Sequence, residues 1–140
     1  QLEEAVRRKP GVCLGLLGPD GEGPYMLTLR AGKVRDGLAS LSGSGGAALR
    51  DSEGWVLHQA VLNPVLGASA VDHLYYHHDP QELWSEVLGG KLQMAFYLKP
   101  FPMDLFQAIV SAGQRLPPKS TYFHPKLPTG LVFNPLEGEV

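Results

Sequence analysis

Two short sets of side chains in this sequence have the chemistry to hold a ligand. The first is Lys119-Ser120-Thr121, with Lys126 following beyond His124-Pro125. One ammonium, two hydroxyls and the adjoining backbone N–H groups are all donors, and held together they suit a phosphate or a carboxylate. The run that carries them, Arg115 to Leu131, is too broken by proline to be a helix. Stiff loops that gather Lys, Ser and Thr are one way to build an anion pocket. The set is not a P-loop, because the glycines such a loop requires upstream are missing. A plainer reading stands beside it. Lys119 and Lys126 would be solvated, Tyr122 and Phe123 would plug the core, and the prolines would stiffen a long connection. Ser120 or Thr121 with His124 as base makes a poor nucleophile pair, since extended-loop spacing alone supplies no activated geometry and there is no G-x-S-x-G elbow.

The second set is His77 and His78, placed where an expected strand feeds a helix, a position where α/β units often carry function. With Tyr122 and His124 they would form the wall of a pocket. A metal centre is not expected. On a strand over 71–77, His73 and His77 lie roughly 13 Å apart, and His77 and His78 point to opposite faces. Neither pair can close on a zinc ion whose bonds are about 2.0–2.1 Å. Asp79 before Pro80 reads as a helix cap.

The elements that must position these residues emerge from the hydrophobic pattern. Leu2 to Arg8 reads as a helix with Glu3/Arg7 and Glu4/Arg8 pairs, stopped by Pro10-Gly11. Val12 to Leu17 and the alternating Tyr25 to Arg30 read as a hairpin around Gly18-Pro19-Asp20-Gly21. Ala31 to Gly46 reads as loose. Its Gly43-x-Gly45-x-x-Ala48 spacing mimics a dinucleotide loop without the buried strand such a loop needs. Next is a capped helix with the stripe Val56, Leu57, Ala60 and Val61, interrupted at Asn63-Pro64. Then come a strand at Val71 to His77, a helix from Pro80 to Gly89-Gly90, a strand at Lys91 to Leu98, a helix around Leu105 to Val110, and a last strand at Gly130 to Phe133. This order predicts an α+β domain with a mixed sheet of about four or five strands and helices packed mainly on one face. The expected division is a helical arm at 1–10, one domain over 11–136 and a tail at 137–140.

Composition narrows the class. At 140 residues the chain holds one domain, with enough buried surface to need neither disulfide nor metal. Cys13 is alone in an apolar run, so it reads as an inert core residue in a reducing, cytoplasmic setting. No run of about 18 apolar residues suggests a membrane span. Residues 1–90 carry seven Lys/Arg against eleven Asp/Glu, whereas residues 91–136 carry five against Asp104 alone. A basic third favours small anions, yet it is too sparse for nucleic acid.

The closing segment carries a resemblance. Gly113 to Val132, reading GQRLPPKSTYFHPKLPTGLV, is similar to the end signature of a widespread prokaryotic family, domain of unknown function 1015. Val56-Leu57-His58, Pro64-Val65-Leu66-Gly67, Leu74 to Asp79 and Ala95 to Pro100 fit the same pattern, so the likeness spans about residues 10–135. The family has Met at the position of Leu116 and often Tyr at that of His124. It implies a longer parent, with an amino-terminal half resembling ParB-type nucleotide-using domains, some relatives of which phosphorylate free serine. The Asp-Gly-His-His-Arg-like segment of that half is absent here, and His77-His78 lacks its Gly and Arg. The resemblance therefore implies that a nucleotide cofactor and kinase-like chemistry belong to the missing half.

Two functional expectations result. In the first, this chain is a carboxyl-terminal accessory domain, not itself catalytic, whose Lys119, Ser120, Thr121 and Lys126 contact a small phosphorylated ligand in a site shared with the missing half. In the second, it is a structural or interaction domain with no ligand. Self-association stays open under both.

Overall fold

The computed structural model describes residues 1–18 and 22–120. The expected strand at Gly130 to Phe133, the tail at 137–140, and the site candidates Thr121, Tyr122, His124 and Lys126 lie outside the described residues.

The apolar run Cys13–Leu17 forms strand β1, and its hairpin partner Tyr25–Thr28 forms β2. Ala95–Tyr97 forms β3, giving the strand order β2-β1-β3. Both pairings are antiparallel, with Leu14 opposite Leu27 and Leu16 opposite Phe96. The fold is α+β. Among the described residues, however, the sheet is antiparallel and three-stranded, not mixed with four or five strands.

The strand expected at 71–77 accounts for part of that difference. Gly67–His73 is a 3-10 helix, entered through Gly67 at φ 68° and anchored by the buried Ala70. Among the described residues no neighbouring strand pairs with Val71 to His77, although the outer sides of β2 and β3 carry none. Strand preference depends on such a neighbour more than on intrinsic tendency. The strand expected from Lys91 is shorter for a local reason. Lys91 and Leu92 donate their N–H groups to the Glu86 carbonyl at 2.9 and 3.2 Å, which wraps them around the end of the preceding helix.

Helix α1, Leu2–Arg8, lies on the sheet with Val6 fully buried. Arg8 pairs with Glu4 at 2.7 Å as expected. Arg7 instead reaches across to the Tyr97 hydroxyl at 2.9 Å. Gly15 is where α1 and β3 close over β1, since a Cβ there would sit 2.8 Å from Leu2 and 3.2 Å from the Tyr97 Cβ.

The segment read as loose contains helix α2, Lys33–Ser42. It has no side-chain cap and a glycine in its middle, both poor signals. Leu38 decides the matter by packing with Leu49, Trp55, Val56 and Ile109 in the main core. The Gly43-x-Gly45 spacing comes after this helix rather than a strand, so it cannot aim at a pyrophosphate. A 3-10 turn at Ala47–Asp51 leads to α3, Glu53–Leu57, whose cap is Ser52 accepting from the Trp55 N–H.

Pro64 does not interrupt the helical path after α3. The chain passes from α3 through a π-helical turn, His58–Leu62, into α4, Asn63–Leu66. A proline lacks the N–H of the regular ladder and crowds the carbonyl four residues back, and the wider turn relieves both. Leu57 and Leu62 join Leu14 in a second core on the sheet. Helices α5, Pro80–Leu88, and α6, Met103–Ser111, complete the described elements.

Candidate functional site

Helix α6 ends in a way that sets up the loop. Gly113, at φ 68°, donates to the Val110 carbonyl, and Gln114 donates to that of Ile109. This paired ending turns the chain back towards the core. Leu116 then packs against the cluster of Leu38, Leu49, Trp55, Val56 and Ile109. The next four residues make a tight turn. The Ser120 N–H and Oγ–H both reach the Pro117 carbonyl, at 3.3 and 2.7 Å. Lys119 sits at the turn's exposed tip with φ 62°, the sole residue other than glycine with positive φ among the described residues. A residue with a Cβ disfavours that conformation by about 1–2 kcal/mol.

The turn rests on the start of α3. A Cβ on Gly54 would lie 3.6 Å from Ser120 Oγ and 3.8 Å from Leu98. Beside Gly54, Glu53 is buried to 9% exposure and fully engaged. Its carboxylate accepts from the Cys13 N–H at 3.1 Å, the Lys99 N–H at 2.8 Å and the Lys99 ammonium at 2.9 Å. The ammonium also donates to the carbonyls of Lys9 and Gly11 at 3.0 and 2.6 Å. This knot ties the ends of α1 and β3 to the starts of β1 and α3. Neither residue stands out by motif or spacing in the sequence. One signal was available, an acid in the first turn of a helix in which Trp55 to Leu57 are all core.

His77 and His78 are placed by α5. Asp79 caps that helix, its Oδ1 accepting from the Gln81 and Glu82 N–H groups at 2.8 and 3.4 Å, and Pro80 follows as the sequence predicts. His77, with its side chain 12% exposed, lies 3.3 Å from the Glu82 carboxylate through Nε2. Its Nδ1 accepts from the Asp79 N–H at 3.0 Å. The imidazolium would instead donate from Nδ1 to the Asp79 carbonyl at 2.9 Å. The ring stacks with Tyr75 and with His78, with centroids 5.9 and 5.2 Å away. With both nitrogens engaged, His77 serves to seat the helix start and is not disposed as a base or a metal ligand. His78 is exposed.

Strand spacing no longer bears on His73 and His77, because that strand is absent. Among the described residues no three His, Cys, Asp or Glu side chains gather as a metal site would require. Ser120 spends its hydroxyl proton on Pro117 rather than on a base. The contacts that fix His77 come from residues 75–82, and those that fix Ser120 from Pro117 and Gly54, so the two sets are positioned independently. Cys13 is fully buried, and burial pushes its thiol up, as befits a packing residue.

Fold and site together define an α+β domain with an exposed, conformationally strained cationic turn lying against Gly54 at the start of α3. No family model matches the chain, and no curated protein or solved structure matches it.

Proposed function

We propose that this chain is a non-catalytic accessory domain that contributes an anion-contacting turn to a composite site. The observation that carries the reading is Lys119, a charged residue held exposed in a left-handed conformation at the tip of a locked turn. Strain of this kind collects where a side chain must be aimed, and it persists only where the surroundings enforce it. Thr121 and Lys126 supply further donors to the same ligand. The likeness of residues 113–132 to the end of domain of unknown function family 1015 supports a missing amino-terminal half as partner and as carrier of any nucleotide. A cytoplasmic setting belongs to the same reading and rests on the single buried thiol.

The test is an NMR titration of the labelled chain with inorganic phosphate, ADP and ATP, each with and without Mg²⁺. Saturable shifts at Lys119 and Ser120, lost in Lys119→Ala at unchanged melting temperature, are expected. Absence of shifts at millimolar ligand would sink the reading. A second reading, an interaction domain without a ligand, is favoured by one feature: β2 exposes Tyr25, Met26 and Leu27.

A further inference from the structure

We draw no further inference here: the strongest candidate, the shallow apolar hollow of about 260 Å³ on the outward face of helix α6 between the exposed Met103 and Val110, carries none because nothing in the structure shows what covers it.

Discussion

At the scale of single residues, Glu53 matters more to this molecule than any histidine. Its carboxylate oxygens take two backbone N–H groups and one ammonium, so a charge that would be costly alone is fully compensated. Glu53→Gln keeps the shape and removes the charge. It leaves the Lys99 ammonium, itself only 21% exposed on its side chain, with carbonyls alone. A loss of about 3 kcal/mol in urea unfolding is expected, within the range for breaking a buried pair. Adding Lys99→Met should recover part of that loss, because it removes the uncompensated charge. A double variant no more stable than Glu53→Gln would mean that the pair acts through packing rather than charge. Lys119 illustrates the opposite use of a cation. It is held out into solvent at a conformational cost, which is why it carries the functional proposal.

At the scale of elements, the joints decide how the helices sit. Of the three glycines just after α2, Gly43 and Gly46 differ in what constrains them. Gly43, at φ 65°, has open space where a Cβ would be, so Gly43→Ala meets only the left-handed penalty of about 1–2 kcal/mol. Gly46 has an ordinary φ, yet a Cβ there would lie 2.0 Å from the Ser42 carbonyl oxygen. Gly46→Ala must therefore move backbone, shifting α2 against the 3-10 turn that carries Leu49 into the core. It is expected to cost more than Gly43→Ala, by about 1 kcal/mol or more. Thermal melts of the two variants check the order. If Gly46→Ala is the milder of the two, the close approach of α2 and the 3-10 turn is not tight in solution.

At the scale of the whole molecule, pH reports on what folding has buried. Burial lowers the His58 imidazole below the ordinary histidine value. The unfolded chain then binds a proton that the folded chain refuses, so stability should fall as pH drops below about 6.5. Burial raises the Cys13 thiol, with Glu53 adding to the rise and Lys99 opposing it. The unfolded chain then loses a proton that the folded chain keeps, so stability should also fall as pH rises past about 8.5. Melting temperatures across pH 5 to 10 should therefore show a plateau between those limits. His58→Asn should flatten the acid side and Cys13→Ala the alkaline side. An acid limb unchanged in His58→Asn would assign that limb to carboxylates instead.

The sequence by itself determined those features whose physics is local. The Asp79-Pro80 cap of α5, the stripe of α3, the hairpin of β1 and β2, and the Glu4–Arg8 pair each depend on residues close in the chain, and each is present. What only the tertiary structure decided depends on partners remote in sequence. Leu38 makes a helix of a segment poor in helix signals because a core of Leu49, Trp55 and Ile109 is there to receive it. Val71 to His77 is no strand because its first three residues close a 3-10 helix anchored by the buried Ala70. Glu53 becomes the centre of a knot only when Cys13 and Lys99 arrive from 40 and 46 residues away. The left-handed turn at Lys119 likewise exists because Leu116 and Ser120 are pinned to elements formed some 60 residues earlier. Local preference sets what a segment can be, and burial against distant partners settles which of those states is kept.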